Sequence, residues 1–232
     1  YASRGLGDVY KRQALLHLAI EAFENERLIV AHVNHNKRAQ SEIEEEYIKN
    51  FCHEKNIMCF IKKLPHYDKD NFQEWAREER YQFFKEIAEN TSAKYLFTAH
   101  HADDNLETIL MRLIKGSNLK GYAGISSIST YGNLKVVRPL LGVSKKTLEE
   151  YLIMNNYKYF QDESNASDVY TRNRIRKYLV PFIKEENPNW INAVQIYSDN
   201  LNNADILLKT SVNLFIKEHV MVKNNSIMIN LT

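Results

Sequence analysis

Apolar runs of strand length alternate along this chain with longer stretches of helical spacing, and that alternation limits the fold more than any single motif does. Leu28-Ile29-Val30-Ala31-His32-Val33 reads as a short strand. Ser41 with Glu44 forms a capping-box signature, and Ile43, Tyr47, Ile48 and Phe51 follow at helical spacing. Ile57 to Ile61 is the next strand. Asn71 with Glu74 again reads as a cap and box, opening a long helix marked by Phe72, Trp75, Ala76, Phe83, Phe84 and Ile87. Tyr95 to Thr98 and a helix through Met111 make a third unit. Repeated units of this kind predict an α/β fold, a doubly wound, mostly parallel, Rossmann-like sheet followed by a helical segment.

Beyond Gly116 the pattern changes. Four of the seven glycines, Gly116, Gly121, Gly124 and Gly132, predict a loop region over roughly 115 to 134. Val136 to Leu141 reads as a strand ended by Pro139. Ser144 caps a helix carrying Leu148, Tyr151 and Leu152, Tyr157 to Phe160 is a short extended segment, and Gln161 to Asp168 is a polar loop. Helices are predicted over Thr171 to Lys184 and over residues 189 to 219, with a boundary near Pro188.

The chain has 232 residues, 44% hydrophobic and 26% charged, with a net charge of +2, which suits one α/β domain with an appendage. No apolar run is long enough to cross a membrane as a helix, and no apolar signal core opens the chain. Cys52 and Cys59 are too few for a disulfide framework or a cysteine-rich metal centre. The expected location is the cytoplasm.

The densest chemistry lies between Thr98 and Arg112. His100, His101, Asp103, Asp104 and Glu107 put five ionisable side chains within eight residues, between a strand and a helix, where open α/β sheets bind ligands. Asp104 and Glu107 are three apart and Asp103 and Glu107 four apart, so each pair shares a helix face. Converging carboxylates there can hold a cation, grip an ammonium group or accept a proton. The plainer reading is an acidic helix start favoured by the dipole. A second concentration, Arg172, Arg174, Arg176 and Lys177, suits a phosphate backbone or a solvated basic helix face.

Taken together, Ala31 to Arg38, His100 to Thr108, Leu119-Lys120-Gly121, Arg138 to Leu141 and Asp162 to Arg176 resemble tRNA(Ile)-lysidine synthetases, members of the N-type ATP pyrophosphatase, or PP-loop, superfamily. The resemblance runs from about Ala14 to Pro188. It implies a catalytic domain over 14–187 and, over 188–232, a helical linker and the start of a further domain cut short at Thr232. It also implies a reaction. ATP adenylates the C2 oxygen of the wobble cytidine of an isoleucine tRNA with a CAU anticodon, and free L-lysine then attacks C2 and expels AMP. Mg²⁺ across the triphosphate and a cytoplasmic setting follow, and a homodimer is left open.

Asp104 and Glu107 are then the candidates for holding lysine, His100 and His101 for facing nucleotide or base, and Asp103 for metal. His32, Asn34, His35 and Arg38, at the end of the first strand, and Arg77 and Arg80, on the long helix, are nucleotide candidates; the plainer reading is a polar strand end and a solvated helix face. Arg112, Arg138, Arg172, Asn173, Arg174 and Arg176 are tRNA candidates, with Tyr170 available for base stacking.

One departure matters. Members of the superfamily open with a strand leading into Ser-Gly-Gly-x-Asp-Ser, whose amides cradle the pyrophosphate of ATP. Here Gly7-Asp8-Val9-Tyr10-Lys11-Arg12 stands in that place, with Lys11 where the aspartate belongs. Losing those charge-assisted bonds should cost several kcal/mol of triphosphate binding. Either residues 1 to 13 are foreign to the protein, or the chain is a pseudoenzyme that binds tRNA without ATP chemistry. A thiolase of the same superfamily, which would usually need more cysteines, and a metal-dependent phosphohydrolase are the other readings.

Overall fold

The computed structural model describes residues 9–36, 40–67, 72–158, 170–223 and 226–229. Helix α1 (Val9–Ala22) is followed by β1 (Ile29–Asn34), α2 (Gln40–Glu54), β2 (Met58–Lys63), α3 (Phe72–Thr91), β3 (Tyr95–Phe97) and α4 (Ala102–Lys115). β1 and β2 pair in parallel, Val30 beside Cys59 and His32 beside Ile61. Helix crossovers between parallel strands are what the alternating pattern requires, and the architecture is α/β.

The second half departs from simple alternation. A one-turn helix α5 (Leu119–Tyr122) and a strand β4 (Ile128–Tyr131) lie where only loop was expected. β4 forms a hairpin with β5 (Leu134–Val137), and β5 pairs in parallel with β3, giving the order β3-β5-β4. The strand expected over Val136 to Leu141 therefore starts earlier and stops at Val137. Arg138 still donates its amide to Ser127 O in the register of the hairpin, but Pro139 has no amide with which to continue the ladder.

Helix α6 (Lys145–Met154) begins at Ser144, whose hydroxyl accepts the Thr147 amide, as expected. α7 (Thr171–Arg174), a π-helical turn over Ile175–Leu179 and α8 (Val180–Glu186) form nearly continuous helix, and α9 (Trp190–His219) leads into a hairpin of β6 (Val220–Lys223) and β7 (Ser226–Ile229). Ser41 does not cap α2, which already starts at Gln40. The proposed Asn71 cap, Arg38, the Phe160 end of the extended segment and the Gln161–Asp168 loop fall outside the described residues.

Apolar faces meet in four clusters that hold the sheet edges and helices in place. α3 covers both strand groups, with Ala76, Phe84 and Ile87 against Ala31, Val33, Leu96 and Val136. Tyr10, Ala14 and Leu15 of α1 pack with Leu148 and Leu152 of α6. Leu16 joins Val30, Ile48, Cys52 and Ile57. Ala102 and Leu106 of α4 pack with Ile175, Val180 and Trp190. That last cluster fixes the start of α4 against the C-terminal helices, and the first turn of α9 is part of it. No helix among the described residues is long and apolar enough to cross a membrane.

Candidate active site

The Thr98–Glu107 segment turns from β3 into α4 at the carboxyl end of the strand, and its ionisable side chains are buried together. His100, His101, Asp103, Asp104 and Glu107 are all 1–6 % exposed. Buried charges persist only when paired and hydrogen-bonded, and each carboxylate here has cationic partners.

His101 caps α4. Its Nδ1 accepts the Asp104 amide at 3.4 Å while Asp104 Oδ2 accepts the His101 amide at 3.2 Å, a reciprocal capping box. The sequence hides this device because histidine is not a usual cap residue. Lys11 Nζ donates to both oxygens of Asp104, at 3.1 and 2.9 Å. Burial raises the Asp104 pKa, but Lys11 and the two histidines overcome it and hold the carboxyl well below its ordinary value. Tyr10 Oη lies 2.9 Å from His101 Nε2.

Asp103, expected to bind metal, is engaged otherwise. Its Oδ2 accepts the Lys145 amide at 2.8 Å, the first residue of α6, and its Oδ1 accepts from Lys184 of α8. An ammonium on the same carboxylate opposes a divalent cation there. No group of three or more His, Cys, Asp or Glu suited to a metal ion occurs among the described residues. Asp103 as arranged does not fit Mg²⁺.

Glu107 is gripped by the basic run. Arg172 Nε donates to Oε2 at 2.8 Å, and Arg176 donates through Nε to Oε1 at 2.6 Å and through Nη2 to Oε2 at 3.2 Å. Three of roughly four acceptor positions of the carboxylate are thereby filled. Arg172 and Arg176, expected on the tRNA backbone, thus first serve to tie α7 and the π-helical turn to α4. Arg174 and Tyr170 remain exposed, and Asn173 is half-buried.

Beside this cluster opens a cavity of about 640 Å³. Arg77, Arg112, Lys115, Arg138 and Arg172 put five cations on its walls, joined by His100, Tyr81 and Thr108, and no carboxylate lines it among the described residues. The structure thus brings together residues that were expected to serve different ligands. Arg77 lies over the Tyr81 ring, 4.8 Å from its centroid. Arg138 donates through Nη1 to Ser126 O at 2.8 Å and Ser129 Oγ at 3.0 Å, while its buried Nε–H has no hydrogen-bond partner among the described residues. Thr108 links cavity to cluster: it donates to Asp104 O at 2.7 Å and accepts from Arg172 at 3.3 Å. Tyr81 and Lys115 carried no signal in the sequence, and Thr108 stood in the His100 to Thr108 run with no role of its own, because only the tertiary fold gathers them.

The remaining nucleotide candidates lie elsewhere. Asn34 fastens the end of β1 to α2, donating to Glu45 at 2.7 Å and Ser41 O at 3.3 Å and accepting the Asn36 amide at 2.8 Å. His32 is 5 % exposed, and burial, aided by Arg12, pushes its pKa down to about 3. His35 meets the edge of Phe72, and Arg80 is 4 % exposed and does not line the cavity.

The arrangement offers a cationic cavity for a polyanion, next to buried carboxylates that can order an ammonium, with His100 at the junction. Comparison with known proteins gives this geometry a context. The PP-loop domain family matches residues 11–183. tRNA(Ile)-lysidine synthases are similar: that of Enterococcus faecalis is 35% identical over 210 residues, covering 89% of this chain and 46% of the relative. That of Geobacillus kaustophilus is 40% identical over 194 residues, covering 80% of this chain and 42% of the relative. The chain thus spans less than half the length of these relatives. The U34-tRNA thiolase NcsA from Methanococcus maripaludis, solved with its [4Fe-4S] cluster, shares the fold with a TM-score of 0.66 at 17% identity, covering 83% of this chain and 67% of that one.

Proposed function

The chain belongs to the PP-loop domain family, and from that premise we propose that it is the catalytic portion of a tRNA-modifying ligase of the tRNA(Ile)-lysidine synthase kind. The carrying observation is the buried carboxylate cluster opening through Thr108 and His100 onto a cavity walled by five cations. The cavity receives a nucleotide of the anticodon loop, its phosphates met by Arg77, Arg112, Lys115 and Arg138. Tyr81 supplies an aromatic face beside them. A volume of this size admits one unstacked nucleotide.

Two chemical steps follow. The C2 oxygen of the wobble cytidine attacks the α-phosphorus of ATP and pyrophosphate leaves. The lysine amine then adds to C2, and the C2–O bond breaks as AMP departs. Lysine arrives as an ammonium of pKa near 10.4, so it must be held and deprotonated before attack. Asp104 and Glu107 are the holding groups, and lysine must exchange with Lys11 on the first or the arginines on the second. His100, hydrogen-bonded to Thr98 at 3.0 Å, stands where the base would enter. No step is assigned to a metal at Asp103.

A thiolase reading is less well supported. Cys52 is fully buried in the apolar cluster under α2, and the thiols are two, where an iron–sulfur cluster takes more. The test is AMP formation with purified protein and a CAU-anticodon isoleucine tRNA transcript. The reading requires AMP release to depend on both lysine and RNA. Release with neither, or RNA binding with no nucleotide turnover at any lysine concentration even when an apolar strand and Ser-Gly-Gly-x-Asp-Ser replace residues 1 to 13, counts against it.

A further inference from the structure

Asn105 directly follows Asp103 and Asp104 on α4, is 2 % exposed, and reaches across to the segment that walls the basic cavity. Its Oδ1 accepts the Ile125 amide at 2.7 Å. Gly124 lies against it so closely, with φ of +82°, that a Cβ there would stand 2.3 Å from Asn105 Oδ1 and 2.9 Å from Ile109 Cγ1. Ile125 is followed by Ser126, whose carbonyl accepts Arg138 Nη1, while Ser127 O accepts the Arg138 amide at 2.8 Å. A continuous chain of contacts therefore runs from α4, through Ile125 and Ser126, to the guanidinium of Arg138.

We propose that Asn105 is a positioning residue that fixes Arg138 in the cavity, setting where an RNA phosphate rests relative to the carboxylates on the same helix. This rests on the reading of the cavity as the RNA site. α4 holds both ends of the arrangement: its first turn carries Asp104 and Glu107 follows one turn on, while Asn105 carries the cavity wall. A phosphate held by Arg138 is thereby placed at a fixed distance from the groups proposed to hold lysine.

The test exploits the fact that Asn105 carries no charge. Binding of an anticodon stem–loop RNA is measured by fluorescence anisotropy across a salt series, for the full chain and for Asn105→Ala, Arg138→Ala and the double variant. Arg138→Ala should weaken binding about tenfold and lower the salt slope by about 0.7–0.9, the loss of one phosphate contact. Asn105→Ala should lower the slope by the same amount, and the double variant should lower it no further. A side chain that merely supports the fold shifts the unfolding midpoint without touching the slope. Should Asn105→Ala fail to fold, Asn105→Ser, too short for the same bond, takes its place. An unchanged slope in the Asn105 variant beside a reduced slope in Arg138→Ala overturns the inference and leaves the RNA reading standing. An unchanged slope in Arg138→Ala removes the RNA reading and this inference with it.

Discussion

Replacing Glu107 by glutamine keeps the shape of a side chain that is 1 % exposed while removing the charge that two arginines share. The amide retains one acceptor oxygen and turns an NH₂ donor toward the other guanidinium. Of the three bonds to Arg172 and Arg176, at 2.8, 2.6 and 3.2 Å, some are lost and one becomes donor against donor. Removing one partner of a buried ion pair typically costs about 3–5 kcal/mol. The side chains of Arg172 and Arg176 are 37% and 29% exposed, so water recovers part of that loss. The expected cost is about 2–3 kcal/mol, or roughly 4–12 °C in Tm for a chain of this size. Urea unfolding of Glu107→Gln, Arg176→Gln and the double variant measures it, and the coupling should be on the order of 2 kcal/mol. A loss below about 0.5 kcal/mol with strictly additive single effects would refute the idea that this cluster ties the basic run to α4.

Other outcomes follow from the same contacts. His32 has a folded pKa near 3 against an ordinary 6.5, so the unfolded chain binds more protons between those values and stability falls as pH drops through that window. At pH 5 this amounts to about 2 kcal/mol relative to pH 7, which should shrink when His32→Gln is unfolded at both pH values. Arg112→Ala and Lys115→Ala should each weaken anticodon stem–loop binding and flatten its salt dependence, without lowering Tm by more than about 2 °C. Asp103→Asn should lower stability by about 1–2 kcal/mol through the loss of the Lys184 pair, while the Mg²⁺ concentration giving half-maximal turnover stays unchanged. A several-fold rise in that concentration would restore Asp103 as a metal ligand.

Local order was legible in the sequence wherever residue type and period agreed. The strand ending at Asn34, the long helix behind Trp75 and the Ser144 cap all follow from apolar spacing or cap chemistry over a few residues. The Thr98–Glu107 segment was legible as a candidate site because its ionisable density lies between a strand and a helix, and the structure buries those side chains together. What was not legible is set at long range. Asp103 meets Lys145 and Lys184, Glu107 meets Arg172 and Arg176, and Asn105 meets Ile125, pairs separated by 20 to 81 positions. The glycines near 120 promised loop and concealed β4, because Gly132, with φ of +56°, serves the tight turn of a hairpin. His101 was expected to face nucleotide, but its ring accepts the amide that closes the first turn of α4.

The central claim is that this chain's cluster and cavity join lysine to RNA. The most direct measurement is ATP-dependent transfer of labelled lysine to an isoleucine tRNA transcript with a CAU anticodon, against the same transcript carrying GAU. It is run with this chain and with a version in which an apolar strand and Ser-Gly-Gly-x-Asp-Ser replace residues 1 to 13. The account predicts label on the CAU transcript alone in at least one of the two proteins, abolished by Asp104→Asn and by Glu107→Gln. Label on both transcripts, label that survives both substitutions, or none from either protein would contradict it.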